Sequence, residues 1–410
     1  MKIIHTSDWH LGARFHEEER IGEHRRFLSW LLERIREEKP DALVVAGDIF
    51  DIKAPSPAAQ EMYYGFLSDV AKSGSCRRVV VTAGNHDNAH LLAAPAQVLD
   101  GIGVSVVAWA GEDPSGEVVV VDDASGRPGL VVAAVPFMYT AELANFGADR
   151  GGEASERGVK IARGWGRHHA AVMAQAQAMA PDAPVVLTGH CMLAEAVLSD
   201  DDSERCRCVG GLDAYDPAPL AGADYVALGH LHRPQAVRGF EDRMFYSGSP
   251  LAMSFDEAAG RKCINVVTLG KAGEKPEVKQ VEVPRTVEIL TLRGKPEDVK
   301  ARLAEIVSAG ADVRRFVRIQ LEGFEGSATA HWSDIRELVK ESATRVLEEM
   351  DVRPRTREAG APDAFKGKTI AQIRPREMAE QKLRTSSQHY SEEQVAAFME
   401  MFDEVAGGVQ

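Results

Sequence analysis

Five short polar clusters carry the side chains that a metal-dependent hydrolase needs. They are Asp8-Trp9-His10, Gly47-Asp48-Ile49-Phe50-Asp51, Gly84-Asn85-His86-Asp87, Gly189-His190 and Gly229-His230-Leu231-His232. Carboxylates and imidazoles bind manganese, iron or zinc well, and an amide oxygen adds a weak neutral ligand. A glycine before a ligand permits a tight turn and a close backbone approach. Together, the clusters indicate a dinuclear metal site.

The spacing inside two clusters favours shared ligation, because residues two apart on an extended strand point to the same face. Asp8 and His10 have this spacing, and so do His230 and His232. Taken singly, each cluster has a plainer explanation: Asp-x-His is commonly a surface loop, Gly-His a turn, and His190 a hydrogen-bonded histidine at a strand end. The ordered recurrence of all five clusters after apolar runs favours the metal site.

The elements that must position these clusters are short apolar runs, typical of buried strands in an α/β sheet. The clearest runs each end at or just before a glycine: Leu43-Val44-Val45-Ala46, Val79-Val80-Val81-Thr82, Val185-Val186-Leu187-Thr188 and Tyr225-Val226-Ala227-Leu228. Between the strands, residues 17–39 and 162–179 have the apolar spacing of helices. Ligands collect at the carboxyl ends of strands in such sheets. The alternation therefore predicts that the polar clusters meet at one edge.

The chain of 410 residues is long enough for one large domain with a smaller one appended. We predict a large domain over residues 1–270 and a small α+β unit over 271–350. The small unit is predicted from strand-like alternation at 286–293 and 315–322, which surrounds a helical segment at 296–308. No internal repeats are apparent.

Composition is that of an ordinary globular protein, with 44% hydrophobic and 27% charged residues. The net charge of −14 argues against nonspecific coating of DNA by the whole surface, since phosphate neutralisation requires clustered Lys and Arg. It leaves room for a basic rim around a metal-lined cleft. Five cysteines without a C-x-x-C pair make a disulfide framework improbable. With no signal-peptide pattern and no long apolar run, we expect a cytoplasmic protein without a membrane partner.

The order of the clusters resembles the signature of the calcineurin-like metallophosphoesterases. The segments Thr6-Ser7-Asp8-Trp9-His10-Leu11-Gly12 and Tyr246-Ser247-Gly248-Ser249-Pro250 are similar to the SbcD-type exonuclease subunits of that superfamily. The resemblance covers roughly residues 1–260 and weakens beyond them. It implies an α/β fold: a sandwich of two mixed β-sheets flanked by helices, a small α+β capping, DNA-binding domain, and a C-terminal helical tail.

The resemblance also implies roles for individual residues. One metal ion would be held by Asp8, His10, Asp48 and His232, and the second by Asp48, Asn85, His190 and His230, with Asp48 as the bridge. His86 resembles the catalytic histidine, which orients the scissile phosphate and protonates the leaving oxygen. Asp87 would hold His86 in the useful tautomer. Two divalent ions, expected to be Mn²⁺, are the implied cofactors.

Two smaller features leave alternatives open. Asp51 stands where the eukaryotic double-strand-break nucleases have a histidine, so the role of that histidine does not transfer to this chain. One explanation for Asp51 is that it is the hydrogen-bond partner of a metal-bound histidine. The basic residues after the first cluster can reach DNA phosphates or can be solvated helix charges interleaved with glutamates: Arg14, His16, Arg20, Arg25 and Arg26.

The implied partners are DNA, an SbcC-type ATPase subunit in a heterotetramer or larger assembly, and a second copy of this chain. Residues 351–410 begin as a basic linker, with nine Lys and Arg against five Asp and Glu in 351–390. They end in an apolar stripe at helical spacing, formed by Val395, Phe398, Met399 and Phe402. This stripe can dock in a groove of the ATPase or pack on the chain's own first domain.

The implied activity is hydrolysis of DNA phosphodiesters, as a 3′–5′ exonuclease and as an endonuclease on hairpins or blocked ends, in repair, recombination and replication. A phosphatase or cyclic-nucleotide phosphodiesterase is a rival on the same fold. Ile52-Lys53 follows Asp51 where protein phosphatases of the superfamily have Arg-Gly, which counts against that branch. A noncatalytic scaffold is a third possibility, but degenerate relatives usually lose ligands and no expected ligand is missing here.

Overall fold

The computed structural model describes residues 1–146, 157–196, 214–310, 314–324, 327–352 and 395–399. The chain divides into two compact units, Met1–Met350 and Asp351–Gln410. The described strands, β1 to β17, are Lys2–Thr6, Arg14–Phe15, Glu18–Glu19, Ala42–Ala46, Arg78–Thr82, Val104–Val107, Val118–Asp122, Pro128–Ala133, Val185–His190, Tyr225–Gly229, Gln235–Ala236, Met244–Tyr246, Cys263–Thr268, Glu277–Glu282, Glu288–Gly294, Arg315–Glu322 and Thr344–Val352. The described α-helices of the first unit, α1 to α8, are Ile21–Glu38, Pro57–Ser73, Ala89–Ala93, Ala96–Asp100, Thr140–Phe146, Arg157–Met179, Pro296–Ala309 and Thr329–Val339.

Two six-stranded mixed sheets form the large domain. The first has the order β14-β13-β1-β4-β5-β6, in which β1, β4, β5 and β6 are parallel, β13 is antiparallel to β1, and β14 is antiparallel to β13. The second has the order β11-β12-β10-β9-β8-β7, with β12, β10, β9 and β8 parallel and β11 and β7 antiparallel at its edges. The four runs predicted as strands lie in β4, β5, β9 and β10. The predicted fold class, a sandwich of two mixed sheets flanked by helices, is confirmed.

The core lies in three layers. Valines, isoleucines and alanines of both sheets, such as Val44, Val132 and Val186, fill the space between the sheets. The outer face of the first sheet packs against α1 and α2, and the outer face of the second packs against α6. Strands buried on both faces are apolar throughout, which explains why their apolar runs predict them from the sequence.

The start of the first helix differs from the sequence-based expectation. Helical spacing begins at Glu17, but the helix begins at Ile21. Residues 14–19 instead form a small hairpin in which Arg14 pairs with Glu19 and Phe15 with Glu18. This hairpin buries Phe15, which is 1% exposed, against the small domain.

The small domain has a three-stranded sheet, in the order β15-β16-β17, covered by α7 and α8. Its first two strands and its first helix lie where the sequence predicted them, whereas β17 and α8 were not predicted. The first sheet, however, continues past residue 270, because β14 (Glu277–Glu282) pairs along its whole length with β13. The change from sandwich to small domain therefore falls between Glu282 and Glu288, later than the boundary at residue 270.

Of the second unit, residues 351–352, the end of β17, and residues 395–399, which are helical, are described. Val395, Phe398 and Met399 of the apolar stripe lie on this segment, whereas Phe402 and the basic linker lie outside the described residues. Among the described helices, none combines the length and the apolar character that crossing a membrane requires.

Candidate metal centre

The carboxyl ends of five strands bring the polar clusters together. Asp8 and His10 follow β1, Asp48 follows β4, and Asn85 follows β5, all in the first sheet. His190 is the last residue of β9, and His230 and His232 follow β10, in the second sheet. The site therefore lies where the two sheets meet, and each sheet supplies part of every predicted ligand set.

The backbone of these loops is strained where the ligands lie. Four predicted ligands have positive φ angles, which residues other than glycine rarely adopt: Asp8 (51°), His10 (44°), Asp48 (50°) and His230 (96°). Such strain persists only where the surrounding structure holds it in place, and it clusters at functional sites. Trp9 helps to hold the first loop, because its buried indole donates to Thr6 Oγ1 at 3.0 Å and packs edge-on against Phe66.

The first predicted ligand set forms one compact group. Suitable ligand atoms of Asp8, His10 and His232 lie within 4.8 Å of one another, and all three residues are buried. His10 Nε2 is 3.1 Å from His232 Nε2 and 3.7 Å from Asp48 Oδ2. These four side chains are the ones predicted to hold the first ion.

The second predicted set lies on the other side of Asp48. His190 Nε2 is 3.2 Å from Asp48 Oδ2 and 3.1 Å from Asn85 Oδ1. His230 Nδ1 is 3.0 Å from the same Asn85 oxygen. Asp48 Oδ2 thus faces His10 on one side and His190 on the other, which is the position that a bridging ligand requires.

The donor chemistry of the pocket fits cations. His190 Nδ1 lies 2.9 Å from the carbonyl of Ala46, and a carbonyl can only accept, so Nδ1 carries the hydrogen. In neutral His190 the Nε2 lone pair then faces the oxygens of Asp48 and Asn85, which are also acceptors. A positive charge between these atoms, either a proton on Nε2 or a bound cation, removes the conflict. The same holds where the Nε2 atoms of His10 and His232 face each other.

The electrostatics lead to the same conclusion. Burial would raise the pKa of the Asp48 carboxyl, but the charge that His190 can carry holds that pKa below its ordinary value. Burial lowers the pKa of His190, yet neighbouring Asp48 outweighs burial and raises it to about 9. Burial, helped by His190, lowers the pKa of His230 to about 3. The pocket therefore favours positive charge beside Asp48, where a bridging carboxylate would meet a cation.

His86 lies beside the ligands and is oriented by the backbone of Asp51. Its ring is 4.9 Å, centroid to centroid, from that of His10, and its Nδ1 is 2.6 Å from the carbonyl oxygen of Asp51. That carbonyl fixes the hydrogen on Nδ1. The Asp51 side chain faces His10, with Oδ1 3.3 Å from His10 Nδ1.

Asp87 has a different set of contacts from the one predicted. Its carboxylate accepts hydrogen bonds from the backbone amides of Gly84, Ile49 and Phe50 at 2.8, 3.1 and 2.9 Å. It thereby ties the loop after β5 to the loop after β4. The structure places the contact that orients His86 on the Asp51 carbonyl rather than on Asp87.

Sequence reasoning missed a buried ion pair behind His232. Glu257 Oε1 is 3.0 Å from His232 Nδ1, and its Oε2 accepts from Lys262 Nζ at 2.5 Å. Burial would raise the pKa of Glu257, but Lys262 and His232 hold it well below the usual range. Neither residue belongs to a polar cluster, so no motif marks them.

Ser7 and Ser247, one from each of the two resembling segments, also meet at the site. Ser7 Oγ donates to Asp8 Oδ2 at 2.5 Å and lies 2.8 Å from Ser247 Oγ. Of the basic residues considered for DNA contact, Arg20 has a structural role: it is 1% exposed, forms a bidentate pair with Glu23, and donates to the carbonyl of Ala252. His16 pairs with Glu348 of the small domain.

This fold and centre define a class of protein. The family model for calcineurin-like phosphoesterases matches residues 1–234, more than half of the chain. The chain belongs to that family and, within it, to the SbcD nuclease subunits. It is 34% identical over 306 residues to the SbcD chain of the nuclease SbcCD from Escherichia coli K12, covering 74% of both chains.

Other SbcD chains align to a similar extent. That of Rhodobacter capsulatus is 35% identical over 317 residues, which is 75% of both chains, and that of Bacillus subtilis is 34% identical over 285 residues, which is 68% of this chain and 69% of the relative. Among solved structures, a β-glucosidase from Exiguobacterium marinum aligns with 83% of this chain and 84% of its own, at 10% identity and a TM-score of 0.23. A likeness that low carries no argument.

Proposed function

We propose that this chain is the metal-dependent nuclease subunit of an SbcCD-type complex, hydrolysing DNA phosphodiesters together with an SbcC-type ATPase in repair and recombination. The observation that carries the proposal is the convergence of seven ligand-type side chains, with Asp48 at their centre and His86 beside them. The kinship with SbcD nuclease subunits supplies the substrate class and the partner.

Each predicted site residue has a proposed role, either as a ligand of one or both metal ions or as the proton donor. Asp8, His10, Asp48 and His232 would hold one ion, and Asp48, Asn85, His190 and His230 the other. Two divalent ions bound there supply a hydroxide near neutral pH and neutralise the charge of the phosphate. His86, held at Nδ1 by the Asp51 carbonyl, presents Nε2 to the leaving oxygen and, when protonated, donates a proton to it.

Manganese is the proposed native metal. The ligand set is made of carboxylates, imidazoles and one amide oxygen, without a thiolate; its oxygen ligands suit Mn²⁺, which its imidazoles also bind. Titrating the apoprotein with Mn²⁺, Mg²⁺ and Zn²⁺ and following cleavage tests the assignment; full activity with Mg²⁺ alone would contradict it.

The activity is tested with the chain and its ATPase, Mn²⁺, and end-labelled linear duplex and hairpin DNA. We expect nucleotides to be released from 3′ ends and hairpins to be opened. Asp48→Asn should abolish both metal uptake and cleavage, because it weakens the shared ligand of both ions. His86→Asn should keep metal uptake and slow cleavage by about 10²–10⁴-fold, the usual contribution of a general acid.

Two outcomes of this experiment would reject the nuclease. Hydrolysis of p-nitrophenyl phosphate without any DNA cleavage, with the ATPase present, would favour a phosphatase. If Asp48→Asn leaves metal uptake and cleavage unchanged, the proposed metal centre is rejected.

The ATPase is proposed to bind the C-terminal tail, where the apolar stripe lies. Cutting the chain after Asp351 removes the linker and the stripe. Loss of copurification with the ATPase would support docking there, whereas full retention would show that the stripe packs elsewhere.

We propose that this protein works in the cytoplasm, associated with the nucleoid.

We also propose that it forms a homodimer. Val98 on α4 and Ile102 just after it are 75% and 44% exposed, an apolar pair that a second copy can cover. Val98→Asp should shift the mass measured by light scattering from dimer to monomer. Val159→Asp, at a 59% exposed position on α6, is the matched control and should leave the mass unchanged.

A further inference from the structure

Glu257 lies between a predicted metal ligand and a buried lysine. Its side chain is 6% exposed, as is that of Lys262, and the side chain of His232 is 5% exposed. A carboxylate withdrawn from water this far is costly unless its charge is paired and its oxygens accept hydrogen bonds. Both conditions are met here.

The two carboxylate oxygens of Glu257 have different hydrogen-bond partners. Oε1 faces His232 Nδ1 at 3.0 Å. Oε2 accepts from Lys262 Nζ at 2.5 Å and from the backbone amide of Met253 at 3.1 Å. Lys262 Nζ also donates to the carbonyl of His232 at 3.0 Å and to Ser249 Oγ at 2.9 Å. The lysine is thereby fixed to both Glu257 and the backbone of the ligand loop.

This arrangement decides which nitrogen of His232 can bind a metal. An ionised carboxylate only accepts, so His232 Nδ1 carries the hydrogen and Nε2 presents a lone pair. Nε2 is the atom that faces His10 Nε2 at 3.1 Å inside the first ligand set. Partners of this kind on the second nitrogen fix the orientation of metal-binding histidines and raise their basicity.

We propose that Glu257 is a positioning residue for the metal centre: it locks His232 in the tautomer and orientation that bind the first ion, and Lys262 is the buried countercharge that keeps Glu257 in place. The inference rests on the proposed function, because His232 must be a metal ligand. A purely structural ion pair, which would merely fix residues 249–262, is the alternative.

Mn²⁺ binding by the full chain, measured by calorimetry and by the EPR signal of free Mn²⁺, separates the two. Glu257→Gln should weaken the first site by about 10–100-fold, the usual cost of losing such a partner. The second site should keep its affinity, and thermal unfolding in EDTA should show the variant folded. Asp256→Asn, a neighbouring and half-exposed carboxylate that pairs with Arg318, is the matched control and should leave both sites unchanged.

Lys262→Met tests the countercharge. If the lysine acts through Glu257, this change should weaken the first site in the unsubstituted chain but add little in the Glu257→Gln background. Equal losses in both backgrounds would overturn that part. Should Glu257→Gln fail to fold, ¹⁵N-histidine NMR of the Zn²⁺-loaded unsubstituted chain decides: a His232 ring protonated at Nε2 rather than Nδ1 overturns the proposal.

The outcomes also separate this inference from the proposed function. Asp48→Asn with undiminished Mn²⁺ uptake would reject the metal centre. Lost uptake in Asp48→Asn together with two undisturbed sites in Glu257→Gln would reject the role of Glu257 alone.

Discussion

The backbone at Gly84 passes so close to Asp48 that no side chain fits between them. A β-carbon at Gly84 would lie 2.1 Å from Asp48 Oδ1 and 2.3 Å from Asp48 N. Gly84→Ala must therefore displace the bridging carboxylate, and we expect loss of Mn²⁺ binding and of cleavage. Gly65→Ala on α2 is the control, because a β-carbon there meets nothing within 4 Å. Normal Mn²⁺ uptake by Gly84→Ala would show that the loop can shift without harm.

Acid should destabilise the protein in part through His169. Burial lowers the pKa of this α6 residue to about 4, from an ordinary 6.5. Between those values the unfolded chain binds a proton that the folded chain does not, so stability present above pH 6.5 is lost as the pH falls toward 4. At pH 5 the loss is about 2 kcal/mol. In EDTA, His169→Gln should lose less unfolding free energy than the unsubstituted chain between about pH 7 and 5; parallel losses would contradict this.

At the residue scale, the sequence predicted the cluster of candidate ligands because each lies at or within a few residues of the carboxyl end of an apolar strand. It missed Glu257 and Lys262 because their contacts with His232 span 25 and 30 residues and involve no motif. It gave the orientation of His86 to the wrong partner, since the contact is made by a backbone carbonyl, that of Asp51, and any residue type carries one. Contacts made by main-chain atoms cannot be predicted from the residue types.

At the scale of elements, an aromatic cluster joins the hairpin β2–β3 to the small domain. Phe15 stacks on Phe316 of β16 with ring centroids 5.2 Å apart and meets Phe255 edge-on at 5.1 Å. Phe316 is fully buried, so Phe316→Ala should lower the unfolding free energy by about 3–5 kcal/mol. Denaturant unfolding measures the loss. Leu338→Ala, at a 38% exposed position on α8, is the control and should cost far less.

The same hairpin shows why some element boundaries could not be predicted. Residues 17–20 fit the helical spacing of α1, but pairing with Arg14 and Phe15 and burial of Phe15 against the small domain favour strand. Likewise, β14 has only two half-buried residues, Val278 and Val281, among exposed ones, and pairing with β13 makes it part of the first sheet. Both boundaries depend on partners that local periodicity does not contain.

At the scale of the whole molecule, the centre exists only in the folded chain, since His10 and His232 are 222 positions apart. A ligand that binds the folded state and not the unfolded state stabilises it by mass action, about 2.7 kcal/mol per ion at a hundredfold excess over its dissociation constant. Mn²⁺ should therefore raise the unfolding free energy measured in denaturant relative to EDTA.

Asp48→Asn is the comparison that locates this stabilisation. In EDTA we expect the variant to be less stable than the unsubstituted chain, because an amide in place of the Asp48 carboxylate cannot form the ion pair with His190, whose Nε2 is 3.2 Å from Asp48 Oδ2. Its stability should respond little to Mn²⁺. An equal gain from Mn²⁺ in both proteins would place the stabilising ions away from the junction of the two sheets.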